Sequence, residues 1–253
     1  MAEPPKGCPN VSCMSLTKRP APSLRGRSYG GGEKLRHVLH AAVCSVALLL
    51  GLAIGPALAE TAAKPVKIVA LGDSLTAGLG LPLSEGFVPR LQAALAAKGL
   101  TAEVINAGVS GDTASDVLAR LDWSVPEGTD AVILEVGAND MLRGLKAQVT
   151  RTAIDIILQR LKERHIAVLL CGMRAAPNLG TDYAAAFENI YPDLAVKYGI
   201  PLYPFFLDGV AADLGRLQRD GLHPNAAGVE VMVAAILPKV EELIGLVRDR
   251  RSS

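Results

Sequence analysis

Val66-Lys67-Ile68-Val69-Ala70-Leu71-Gly72-Asp73-Ser74 is the stretch whose reading decides the fold. Six residues, apolar except for Lys67, stop at a glycine, and short polar residues follow. A strand buried on both faces reads as a near-continuous apolar run of this kind, and it needs helices above and below the sheet. Four more such runs follow. Val104-Ile105 leads to Asn106-Ala107-Gly108, and Ala131-Val132-Ile133-Leu134-Glu135-Val136 ends at Gly137. Ile166-Ala167-Val168-Leu169-Leu170 ends at Cys171-Gly172, and Pro201-Leu202-Tyr203 continues into Phe205-Phe206.

Between the runs the apolar residues recur at helical spacing. Phe87, Val88, Leu91, Ala94 and Leu95 make one stripe; Ile154, Ile157, Leu158 and Leu161 make another. Tyr183, Phe187, Ile190, Tyr191, Leu194 and Tyr198 read as one stripe before the fifth run. Val229, Val233, Ile236, Leu237, Val240, Ile244 and Val247 close the chain. The alternation predicts one α/β domain, a parallel sheet covered on both faces with right-handed crossovers. Ligands of such sheets sit beyond the carboxyl ends of the strands, so chemistry is sought there.

Upstream the composition changes. Residues 1–34 are rich in Pro, Gly, Ser and basic residues, carry Gly30-Gly31-Gly32, and show no periodicity, which predicts a disordered extension. Lys34-Leu35-Arg36-His37, an apolar stretch from Ala41 to Gly55, and Ala57-Leu58-Ala59 before Glu60 are the three parts of a secretory signal peptide. The leader over residues 35–59 is therefore expected to be removed, leaving residues 60–253 as the mature domain. The apolar core of about 15 residues is shorter than the roughly 20 that span a bilayer, so no stable membrane anchor is expected after cleavage. The expected destination is secreted, in the periplasm of a cell with an outer membrane.

The 253 residues hold 26 basic and 25 acidic side chains, for a net charge of +1, and are 50% hydrophobic. That balance excludes a disordered acidic chain and lacks the basic excess of a nucleic-acid binder. Residues 1–59 take seven basic and two acidic residues with them, so the mature part carries 19 against 23, a net charge of −4. Three of the four cysteines also lie there. Cys171 alone remains, which excludes an intramolecular disulfide, and its apolar run reads as a buried, inert thiol.

Three strand ends and one late loop carry polar clusters. They are Gly72-Asp73-Ser74-Leu75, Asn106-Ala107-Gly108-Val109-Ser110-Gly111-Asp112, Gly137-Ala138-Asn139-Asp140 and Asp220-Gly221-Leu222-His223-Pro224. Acyl transfer needs a nucleophile, a base, a group that orients the base, and donors for an oxyanion. Ser74, at a strand-to-helix turn, fits the nucleophile. His223 fits the base, since a free imidazole titrates near 6.5. Asp220, three residues earlier, can hold the imidazole Nδ1–H. The Ser74 and Gly111 amides and the Asn139 carboxamide supply three oxyanion donors, Gly111 because it carries no side chain to block approach. Asp73 is expected to hold the turn without taking part chemically. Each cluster alone is an ordinary turn; the set, in this order and each at a strand end, is not. Gly78-Leu79-Gly80 lacks the third glycine of a dinucleotide site, and no Gly-x-Ser-x-Gly elbow is present.

This constellation resembles the SGNH (GDSL) hydrolase family, over essentially all of residues 60–253. By that resemblance Ser74 matches the family nucleophile, Gly111 and Asn139 the oxyanion residues, and Asp220 and His223 the acid and base. Ser110-Gly111-Asp112-Thr113, Gly137-Ala138-Asn139-Asp140-Met141-Leu142-Arg143-Gly144 and Tyr191-Pro192 are similar to the secreted arylesterase, thioesterase I and lysophospholipase branch. The resemblance implies a flavodoxin-like three-layer α/β/α sandwich with a five-stranded parallel sheet, an acyl-serine intermediate, and no metal or organic cofactor. It implies a small-molecule acyl ester as substrate: aryl esters, short to medium acyl esters, acyl thioesters and lysophospholipids. The expected state is a monomer. The alternative is a carbohydrate O-deacetylase of the same fold, against which the apolar Leu142, Leu145, Ala175, Ala176 and Leu179 argue. Two departures stand out. Ala138 replaces the second glycine of the family's Gly-Gly-Asn-Asp, which is strained only if Ala138 needs a positive φ. Arg174-Ala175-Ala176-Pro177 carries small residues where relatives place bulkier ones, which leaves chain-length preference open.

Overall fold

The computed structural model describes residues 64–253; the expected extension over 1–34 and signal peptide over 35–59 lie outside the described residues. Five parallel strands form one sheet: β1 (Val66–Gly72), β2 (Ala102–Gly108), β3 (Ala131–Glu135), β4 (Ala167–Cys171) and β5 (Leu202–Tyr203). Their order is β2-β1-β3-β4-β5. This is the flavodoxin-like order, in which the chain first steps outward from β1 and then returns past it to β3. The crevice between the ends of β1 and β3 is thus the switch point.

The helices are α1 (Ser74–Ala77), α2 (Phe87–Ala97), α3 (Ala114–Ala119), α4 (Leu121–Ser124), α5 (Ala138–Leu142), α6 (Ala147–Glu163), α7 (Thr181–Glu188), α8 (Ile190–Tyr198) and α9 (Ala226–Ser252). The pair α2 and α9 packs together against one face of the sheet. On the other side, α6 packs with α3, α7 and α8, and α6 and α8 lie on β4. The result is the expected three-layer sandwich. Its center is fully buried: Ile68, Leu71, Ile133, Leu134, Leu169 and Leu170 expose at most 1% of their surface.

Three local expectations are corrected. β2 is not buried on both faces, because it is an edge strand, and Ile105 stays exposed. β5 does not continue through Phe205-Phe206. The Gly172 N–H donates to the Tyr203 carbonyl, which makes Phe205 the ladder's next donor, but the chain turns at Pro204 and the Phe206 N–H donates to the Gly172 carbonyl instead. Phe206 enters the core edge-on to Phe87, with ring centroids 5.0 Å apart. The single stripe from Tyr183 to Tyr198 is two helices. Pro192 removes one intrahelical donor and its ring crowds the carbonyl of Glu188, so α7 stops there and α8 restarts at Ile190.

The first turn packs tightly on its neighbours. Gly72 and Gly108 are register partners on β1 and β2. A Cβ on Gly108 would lie 2.3 Å from the Ala77 nitrogen and 2.8 Å from the Asp73 carbonyl oxygen. Both are backbone atoms, so α1 itself would have to move. Gly108→Ala should therefore cost roughly 1–3 kcal/mol, the usual scale of overpacking, and lower turnover as Ser74 shifts. Urea unfolding checks the first part; an unchanged midpoint would show that α1 lifts away freely.

Candidate active site

The site is built where β1 ends. Asp73 caps α1: its Oδ1 accepts from the Leu75 N–H at 3.0 Å. Ser74 is the first residue of that helix and is 8% exposed. Gly78 ends the helix in the left-handed region, with φ 80°. The four-residue turn therefore presents one hydroxyl at the mouth of the crevice.

The late loop meets it from 149 residues away. His223 Nε2 lies 2.9 Å from Ser74 Oγ. His223 Nδ1 lies 2.6 Å from Asp220 Oδ2. Because the carboxylate only accepts, Nδ1 carries the proton and Nε2 is left to accept from the serine hydroxyl. Asp220 Oδ1 also accepts from the Leu222 and His223 amides, at 3.0 and 3.1 Å. The Leu222 amide, the His223 ring and the His223 amide together hold the Asp220 carboxyl down at about 2. Gln218 fixes the loop: its Nε2 donates to the Leu79 and Pro224 carbonyls, at 2.7 and 2.9 Å. No local signal marks Gln218 in the sequence, since its partners lie on another segment.

On the β3 side, Gly137 takes φ 112° and caps α5. Ala138 is not among the positive-φ residues, so the departure from Gly-Gly-Asn-Asp carries no strain. Asn139 Nδ2 donates to Asp73 Oδ2 at 3.1 Å and to the Asp112 carbonyl at 3.0 Å. Both of its protons are thus engaged. Neither the Ser74 nor the Gly111 amide donates to another described residue. Gly111 is needed for its backbone rather than for empty space: φ is 91°, and a Cβ would meet nothing closer than 3.7 Å. Arg143 steadies the turn by donating to the Gly111 carbonyl at 2.6 Å.

Two buried ionisable residues, Arg120 and Glu135, lie beneath the site and belong to none of the sequence motifs. Arg120 donates to Asp112 Oδ2 at 2.6 Å, the Ala107 carbonyl at 2.9 Å, Ser124 Oγ at 2.9 Å and the Gly72 carbonyl at 2.8 Å. It ties the ends of β1 and β2 to the Gly111 turn. Glu135, the last residue of β3, accepts from Thr76 Oγ1 at 2.8 Å and the Asp73 N–H at 3.3 Å. A carboxylate inside the apolar run 131–136 was the signal that could have flagged it. Burial raises Asp73 to about 6, against the lowering pull of the Leu75 amide, Glu135, His223 and Asn139.

A cavity of 480 Å³ opens from Ser74, Asn139 and His223, with an apolar wall that includes Met141, Leu142, Met173, Ala176, Phe205 and Leu217. Gly111 is not part of its lining. Arg174 lies at the same cavity, stacked 4.7 Å from the Phe205 ring centroid. A polar end with a hydroxyl, an imidazole and a carboxamide, joined to an apolar cleft, suits an acyl group and its carbonyl.

The class is a hydrolase acting on ester bonds. Comparison with known proteins gives the family: the model of the GDSL-like lipase/acylhydrolase family matches residues 70–231, and the chain belongs to that family. Esterase TesA of Pseudomonas aeruginosa is 36% identical over 199 residues, covering 78% of this chain and 99% of that protein. Thioesterase 1/protease 1/lysophospholipase L1 of Escherichia coli K12 is 38% identical over 165 residues, covering 65% and 78%. The crystal structure of AlinE4, an SGNH-hydrolase family esterase, is 44% identical with a TM-score of 0.61, covering 71% of this chain and 96% of that one.

The buried Arg120 hub predicts a stability effect. Arg120→Ala leaves the Asp112 carboxylate and three further acceptors without this donor, and breaking a buried pair costs about 3–5 kcal/mol. The midpoint in guanidinium should fall accordingly; a shift within the scatter of surface mutations would show that the web does not hold the strand ends.

Proposed function

We propose that Ser74 is the nucleophile, His223 the general base and acid, and Asp220 the group that orients it. The observation that carries this reading is the hydrogen-bonded chain from Asp220 through His223 to Ser74, at 2.6 and 2.9 Å. Ser74 Oγ attacks the ester carbonyl while His223 Nε2 takes its proton. The Asp220 carboxylate stabilises the resulting imidazolium. The Ser74 amide, the Gly111 amide and Asn139 receive the oxyanion; for Asn139 this means drawing one Nδ2 proton away from Asp73 or the Asp112 carbonyl. The imidazolium then protonates the leaving alkoxide, phenoxide or thiolate. Water repeats the cycle on the acyl-serine and restores the hydroxyl.

The substrates are small acyl esters: aryl esters and short to medium acyl esters, extending to acyl thioesters and lysophospholipids. The apolar cavity supports this, as does the likeness to an esterase and to a thioesterase/lysophospholipase. A volume of 480 Å³ falls in the range of small-molecule clefts, about 300–1,000 Å³. Small side chains at Ala175 and Ala176 leave room along the acyl path. Among the described residues no helix is long and apolar enough to cross a membrane. The leader motif over residues 35–59 supports export, to the periplasm of a cell with an outer membrane, as a monomer released from its signal peptide, with residues 60–253 as the working domain.

A chain-length series of p-nitrophenyl esters, run on the wild type and Ser74→Ala, tests the reading. Turnover should fall by at least roughly 10³ in Ser74→Ala, with loss of covalent phosphonate labelling. Full activity in that variant would exclude Ser74. Turnover of acetate alone among the esters would favour the O-deacetylase reading. Asp220→Asn keeps an oxygen for the Leu222 and His223 amides but removes the charge. It should lower kcat by roughly 10²–10⁴ with KM little changed. A near wild-type rate would reduce Asp220 to a loop-fixing residue.

A further inference from the structure

Two carboxyl groups beneath Ser74 take no step in this chemistry. Glu135 is fully buried. One of its oxygens accepts from Thr76 Oγ1 and the Asp73 N–H; the other, Oε1, has no partner among the described residues. An ionised carboxylate with a bare oxygen in such a place is expensive. No cation among the described residues donates to it. Arg120 spends its donors on Asp112, Ser124 and two carbonyls. The other ionisable groups facing it are Asp73 at the end of β1, Cys171 on β4 and Tyr191 on α8. Burial pushes the thiol and the phenol up, so both stay neutral. The Tyr191 hydroxyl donates to the Val136 carbonyl, not to Glu135.

Asp73 is in a different position. Its carboxylate accepts from the Leu75 N–H and from Asn139 Nδ2, and the Glu135 carboxyl lies beside it, Oε2 accepting from the Asp73 backbone N–H at 3.3 Å. It also feels the His223 imidazole. Of the two carboxyl groups, Asp73 is the better provided with donors and so the better able to hold negative charge. Burial, with the adjacent Asp73 adding to it, lifts Glu135 well above its ordinary 4.5.

We propose that Glu135 is a positioning residue for the ester hydrolysis: as a neutral acid it donates its proton to the Asp73 carboxylate, which it thereby fixes as the acceptor that aims the Asn139 carboxamide. The proposal rests on the reading of Ser74 and Asn139 given above. It explains why a carboxyl group sits in the middle of the sheet at all. A permanently charged glutamate there would repel Asp73 and loosen both the cap on α1 and the hold on Asn139. A neutral one joins the ends of β1 and β3 by hydrogen bonds alone.

Glu135→Leu and Glu135→Gln test it, with p-nitrophenyl butyrate as the probe. Leucine removes the donor at similar size, and kcat should fall by roughly tenfold or more, since a carboxamide misplaced by about 1 Å is costly. KM should move by less than about twofold, because the acyl cavity is untouched. Glutamine is neutral and retains a donor, so it should recover most of the lost kcat. Glutamine as impaired as leucine, or leucine without effect, would overturn the proposal. Thermal melting supplies a readout that does not depend on activity, and it serves if the leucine variant does not fold. A carboxyl raised in the fold contributes stability that is complete below its ordinary 4.5 and is lost as pH climbs toward the folded value. Glutamine escapes that loss. The melting temperature of Glu135→Gln should therefore gain on wild type as the pH rises above 4.5. A gap that stays constant would mean that Glu135 is not a buried neutral acid. If Ser74→Ala stays active while the melting gap widens, the nucleophile reading fails and the protonated Glu135 stands.

Discussion

The carboxylate of Asp73 joins the two strand ends that carry Ser74 and Asn139. One oxygen accepts from the Leu75 N–H and so starts α1 with Ser74 as its first residue. The other accepts from Asn139, which follows β3. β1 and β3 are neighbours in the sheet but are separated in the chain by all of β2 and its helices. A single buried side chain therefore sets the distance between the hydroxyl and the carboxamide. Such a residue cannot be argued from the turn alone, where it reads as an ordinary helix cap.

The scaffold around that junction is stiff for two reasons. Backbone approaches are close: Gly72 and Gly108 bring α1 against β2 and β3 with no room for a Cβ. Polar groups that this packing buries are nearly all hydrogen-bonded, chiefly by Arg120, and by Asp140, which accepts from the Ala114 N–H at 2.8 Å and from Thr150 Oγ1 at 2.9 Å. Buried polar webs of this kind are strong only when complete, which makes each member costly to remove. By contrast, the His223 loop is built on the surface, with Asp220 well exposed and anchored by Gln218. The Ser74 hydroxyl is held by the core and the His223 imidazole by a loop.

Much of the architecture was legible because it is written in short-range pattern. An apolar run ended by glycine marks a strand wherever it falls, and 3.6-residue spacing marks α2, α6 and α9. The failures have local causes that the pattern ignores. β5 ends after two residues because the chain turns and Phe206 takes the bond to Gly172 that Phe205 would make, and Pro192 divides a stripe that otherwise reads as one helix. β2 looked buried from Val104-Ile105, although burial depends on which strand ends up at the edge. From sequence Gly111 suggests empty space, whereas its role is conformation, a positive φ that no residue name reveals.

The sequence by itself determined the alternation of strands and helices, the parallel sheet that follows from it, and the rim where polar clusters must gather, because each depends on contacts between residues close in the chain. It also named Ser74, Gly111, Asn139, Asp220 and His223 as candidates by residue type and place. Tertiary structure alone decided that Asn139 spends both Nδ2 protons on Asp73 and Asp112, and that Arg120 and Glu135 stand buried beneath them. Those facts depend on which side chains from distant segments share one low-dielectric space. There a hydrogen-bond partner, or its absence, settles the state of a charge.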